Sequence, residues 1–137
     1  MRIAAIAVSW AAAGAALGYE PAVNYQLHCM GCHLADGSGQ PGRVPSMRRS
    51  LVLLSESREG RDFVVRVPGV AQSPLSNEET AVLLNWMVRN LSDLKLPSGF
   101  ADYSAAEVQG LRSHPLVRVS GLRARLLAGA AAQSPLP

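Results

Sequence analysis

Aromatic residues are scarce in this chain, 5% of 137, while 48% of residues are hydrophobic and much of that count is alanine. A core of stacked rings is excluded, and a large apolar cofactor would fill volume that aromatic side chains usually supply. Charge of one sign is also scarce. Basic residues exceed acidic ones by only three, and beyond Arg2 the arginines are scattered from Arg43 to Arg125, with only Arg48 and Arg49 adjacent. No nucleic-acid partner is expected, because no basic stripe with interleaved aromatics exists. Strong adhesion to an anionic membrane is equally unexpected.

A long apolar run is missing too. The opening MRIAAIAVSWAAAGAALG has one arginine, an apolar run from Ile3 to about Ala16, and a small-residue end at Ala16-Leu17-Gly18. That is the pattern of a secretory signal peptide over residues 1–18, cleaved near Gly18 or Tyr19. A retained anchor is the alternative, but about 15 apolar residues fall short of the roughly 20 that a bilayer core needs. No stable membrane span is expected after cleavage, and loss of Arg2 lowers the basic excess from three to two.

No segment sustains the period-two alternation of a half-buried strand. Val64 to Val67 comes nearest and stops at Pro68, so the expected fold class is all-α with long loops. A first helix is predicted from Pro21 to about His33 and a second from Ser57 to Val67, closed by Pro68-Gly69. Ser76 and Glu79 have capping-box spacing ahead of Val82, Leu83, Trp86, Met87 and Leu91, which predicts a helix over 77–91. Ser104 and Glu107 repeat that signature and open a helix to about Ser113; after Pro115, Leu116 to Ala128 reads as helical again. Asp36 to Ser46 reads as a loop, and Gly129 to Pro137 as a frayed tail. The length fits one domain, with a leader over 1–18, a main body over 19–96, and a C-terminal helical extension and tail over 97–137 that wraps back onto it.

The residues that carry chemistry are Cys29-Met30-Gly31-Cys32-His33. Two thiols three positions apart can add to the two vinyl groups of a haem while the next imidazole reaches the iron. The spacing therefore reads as covalent attachment of one c-type haem, with Cys29 and Cys32 as attachment residues and His33 as an axial iron ligand. A structural disulfide and a redox-active thiol pair compete with this reading, but a redox pair belongs in a βαβ setting that the sequence lacks. Zinc needs four ligands, and the missing pair would have to be His28 or His33 with distant His114.

On these residues the chain resembles small monohaem cytochromes c of the bacterial class I type. The likeness covers about Tyr19 to Leu91 and rests on CMGCH, the loop DGSGQPGRVP, and a closing helix that contains LLNWM. It implies cytochrome c-like helices wrapped around one covalently bound haem c, and a periplasmic location, since bacterial c-type haem is attached outside the cytoplasm. It implies that Pro45, twelve residues beyond His33, turns its carbonyl to the imidazole N–H and supports the ring. It also implies that Trp86 packs against the first helix, as a plain core tryptophan would. Gly37, Gly39 and Gly42 fit a loop pressed against a haem face, and an ordinary surface turn equally well.

The family usually presents a methionine, often followed by proline, just before the closing helix. Here that stretch is Val70-Ala71-Gln72-Ser73-Pro74-Leu75, without one. Met30, Met47 and Met87 read as packing residues, His114 precedes a proline in a helix break, and the sixth iron ligand is unassigned. The implied role is an electron carrier and not an enzyme, receiving electrons from a periplasmic dehydrogenase and passing them to a respiratory acceptor through transient contacts. The segment VPGVAQSPLSNEE with LLNWM is similar to cytochromes associated with quinoprotein amine or alcohol dehydrogenases, which would make the chain the cytochrome subunit of such a system. Arg43, Arg48 and Arg49 form a candidate positive rim for an acidic partner, or simply solvate the surface. The missing methionine raises a second expectation, a haem-based ligand binder or sensor with a vacant sixth position. No distal His or Arg constellation points to a peroxidase.

Overall fold

The computed structural model describes residues 18–133, and nearly all of the expected leader lies outside them. The described residues form α1 (Pro21–His28), α2 (Ser50–Ser55), α3 (Arg58–Arg66), α4 (Pro68–Ala71), α5 (Asn77–Asn90), α6 (Ala105–Arg112) and α7 (Ser120–Gln133). Apart from one isolated bridge between Gln40 and Val44 they contain no strand pairing, so the chain is all-α there. Among them no helix is long and apolar enough to cross a membrane.

Pro21 opens α1 at a position where its missing N–H goes unused. This helix stops at His28, short of the expected His33. The backbone leaves helical geometry at Cys29, with φ of −125°, and Gly31 two residues later offers little drive to resume it. Cys29 to His33 form a tight turn instead, closed by the His33 N–H donating to the Cys29 carbonyl at 2.9 Å. Both halves of the capping box at Ser76 and Glu79 are made and start α5. α5 crosses α1, where Trp86 meets Tyr25 with ring centroids 5.7 Å apart. The Tyr25 hydroxyl donates to the Leu34 carbonyl at 2.6 Å and ties α1 to the turn that follows it.

Helix α2 was not expected, because six residues are too few to display a helical period. It runs into α3 at a sharp corner. Ser57 caps α3 by accepting from the Gly60 N–H, and a Cβ at Gly60 would lie 1.9 Å from the Leu54 carbonyl oxygen, so only glycine lets the two helices pass. Pro68 ends α3 as expected and also begins α4, its fixed φ suiting a first helical position.

The C-terminal segment packs on the same core as the rest. Tyr103 and Val108 are buried among Val52, Val65, Leu84 and Val88. The Tyr103 hydroxyl shares a hydrogen bond of 2.7 Å with buried Ser55 on α2, while Asn85 on α5 both donates to and accepts from the Tyr103 backbone. Ser104 caps α6, but the Glu107 carboxylate does not return to it as a capping box requires. It pairs instead with Arg61 on α3, through contacts of 2.8 and 2.7 Å, and Arg61 in turn lies 4.0 Å over the Tyr103 ring. α7 runs on through the alanines to Gln133, past the expected Ala128, as their high helix propensity allows.

Candidate functional site

The Cys29–His33 turn, the loop at Pro45 to Met47, faces of α2, α3 and α5, and the first turn of α7 enclose an apolar cavity. Its volume is about 320 Å³, within the range of roughly 300–1,000 Å³ typical of small-molecule and cofactor pockets. Cys29, Cys32, His33 and Pro45 all line it, together with Leu51, Leu54, Phe63, Val64, Val67 and Leu84. Four residues picked from the sequence are thus brought to one apolar site.

Within the turn, Cys29 is half-buried and Cys32 exposed, and both are free thiols. Burial pushes the Cys29 thiol up to about 11, so it stays protonated at neutral pH. Redox-active thiol pairs work with lowered values, the opposite direction. The His33 imidazole is pushed down, first by burial and then by the positive charge of Arg123, which keeps the ring neutral and able to bind a metal. Its Nδ1 is buried and has no hydrogen-bond partner, so it does not donate to the Pro45 carbonyl although Pro45 lines the same cavity.

The glycine loop is shaped to press inward. Gly39 has φ of +72°, and a Cβ there would lie 2.4 Å from the Val44 carbonyl oxygen and 2.9 Å from that of Pro45. Any larger residue would push Pro45 and the pocket edge away. Behind the loop, Arg48 pairs with Asp36 at 2.9 Å and also with Asp93. The charge of Arg48 is thus matched by two carboxylates, which removes it from the candidate positive rim, while Arg43 and Arg49 form no ion pair among the described residues.

The described residues hold no group of three or more His, Cys, Asp or Glu placed to bind a metal ion, which a tetrahedral zinc site would need. His114 does not reach the cavity. It is exposed, with its Nδ1 2.8 Å from the Ser113 hydroxyl. Met47 and Met87 do line the cavity, Met87 being buried in the core, whereas Met30 is exposed.

Two arginines of the C-terminal segment escaped the sequence reading. Arg123 on α7 enters the cavity, donates to the Ser46 carbonyl at 3.1 Å, and has no carboxylate partner among the described residues. Arg112, at the end of α6, binds the loop between α4 and α5. Neither sits in a motif, and only long-range packing makes them part of the site. No protein-family model matches the chain, and no curated protein matches it.

Proposed function

We propose that the protein is a periplasmic electron carrier with cytochrome c-like architecture. One haem c would be held covalently through Cys29 and Cys32, with His33 as an iron ligand. The observation that carries this reading is the convergence of both thiols and the imidazole on one apolar cavity. A flat, largely apolar macrocycle suits walls made of Leu51, Leu54, Phe63, Val64 and Leu84, and Arg123, which also lines the cavity, would offer a cation to its carboxylates.

When bound, the haem supplies a one-electron iron couple. The chain's own residues do the rest. The turn from Cys29 to His33 sets both sulfurs and the ring on one edge of the pocket, the bare Gly39 lets the Pro45 backbone pass close by, and the apolar walls exclude water. Exclusion of water and fixed dipoles around the iron are levers by which a protein sets a reduction potential. The donor would be a periplasmic dehydrogenase and the acceptor a respiratory protein, both met transiently.

A second reading has an observation of its own. Residues 67–80 contain no Met, His or Cys, so the pocket wall that they form offers neither thioether nor imidazole to iron. A sixth position left open would make the protein a binder or sensor of small ligands. Spectra separate the two: the far-red charge-transfer band of a thioether-bound ferric haem supports the carrier, with Met47 or Met87 as the ligand. A high-spin ferrous spectrum that shifts under carbon monoxide supports the sensor. Acid–acetone extraction tests what both share. Pigment should stay with the polypeptide and be lost from a Cys29→Ala/Cys32→Ala variant, and pigment released from the unaltered protein would refute covalent attachment.

A further inference from the structure

The wall formed by residues 67–80 is held from outside the cavity. Arg112 donates from Nη1 to the Leu75 carbonyl at 2.7 Å, from Nη2 to the Ser73 carbonyl at 2.7 Å, and from Nε to the Ala71 carbonyl at 3.3 Å. The same guanidinium reaches Ser73 Oγ at 3.4 Å, Asn77 Oδ1 at 3.3 Å and Thr80 Oγ1 at 3.5 Å. Its rigid fork of donors thus gathers three carbonyls of one short loop, with hydrogen bonds strengthened by the positive charge. Pro74 interrupts that loop and supplies no N–H of its own.

The other side of this loop is pocket wall, because Val70, Ser73, Leu75 and Thr80 line the cavity. With no thioether, imidazole or thiol in residues 67–80, no soft metal ligand can tether the wall from inside. We propose that Arg112 is a positioning residue that fixes the 71–77 loop as a closed wall of the cofactor pocket and so limits entry of small ligands from that side. The clamp itself follows from the contacts, whereas its effect on ligand entry rests on the haem reading.

Two measurements on the full-length, haem-loaded protein test it. In Arg112→Gln, the amides of Ser73 and Ser76 should exchange with deuterium at least about tenfold faster, the loss expected when a charge-assisted hydrogen bond is removed. The Val65 amide in α3 should keep its wild-type rate. Imidazole added to the ferric protein should bind about tenfold faster as followed in the Soret band, and Arg112→Lys should fall between the two. A merely structural arginine would accelerate exchange everywhere and leave the imidazole rate unchanged.

Wild-type exchange at Ser73 and Ser76 in Arg112→Gln overturns the clamp, and faster exchange with an unchanged imidazole rate overturns its control of entry. If Arg112→Gln does not fold, Arg112→Lys decides, with acceleration confined to residues 70–77 in support and none against. A protein purified without covalent haem would refute the proposed function, while the exchange measurement would still decide the clamp.

Discussion

The pocket wall that carries Cys29, Cys32, His33 and Pro45 comes from one contiguous stretch of chain, closed by backbone hydrogen bonds within the Cys29–His33 turn, between Gln40 and Val44, and from Met47 to Gly37. The wall carrying Val70, Ser73, Leu75 and Thr80 is held by an arginine 39 positions beyond Ser73. Both line the same cavity, yet one is a local construction and the other depends on the C-terminal segment being docked. That segment is docked by polar contacts as much as by burial: Tyr103 on Ser55, Arg61 on Glu107, and Arg66 on the His114 carbonyl at 2.8 Å. The extension is therefore part of the pocket and not an appendage.

Variants can break or sharpen this contrast. The largest stability effect is expected from Tyr103→Phe, which leaves the buried Ser55 hydroxyl without its partner and should cost about 1–3 kcal/mol in urea unfolding. Because Tyr103 anchors the distant segment, the loss should be accompanied by faster amide exchange in α6 while the Cys29–His33 turn keeps its rates. Equal acceleration in both would erase the distinction between the walls. Ser76→Ala removes a local feature, the cap of α5, and should cost about 0.5–2 kcal/mol without loosening α6.

The smallest effect is expected at Arg48, which lies on the exposed back of the glycine loop. Asp36 is held below the ordinary carboxylate value first by hydrogen bonds from Ser38 and then by Arg48, whereas for Asp93 the bond from Arg48 comes first. Lowered carboxylates stabilise the fold above their ordinary value of 3.8, and that contribution disappears as pH falls through the lowered values. Arg48→Gln should thus narrow the gap between the urea midpoints at neutral and acidic pH. An unchanged gap would mean that the pairs contribute nothing, as many exposed pairs do.

The same contrast explains what the sequence made legible. The all-α class, the starts of α3, α5 and α6, and the gathering of Cys29, Cys32, His33 and Pro45 follow from spacings, caps and prolines within a few residues of one another. α1 came out shorter because Cys29 abandons helical geometry, and α2 was too brief to show a period. The capping box at Ser104 closed only on one side because Glu107 found Arg61, 46 positions away. The roles of Arg112 and Arg123 were invisible for the same reason, since a single arginine on a helix gives no local sign of which loop or cavity it meets.

Covalent haem on Cys29 and Cys32 is the claim on which the functional account turns, and the intact mass of the protein purified from a bacterial periplasm tests it most directly. The account predicts the mass of the chain without its leader plus one haem, with neither cysteine open to alkylation after denaturation. A mass equal to that cleaved chain alone, with both thiols alkylated, would contradict it.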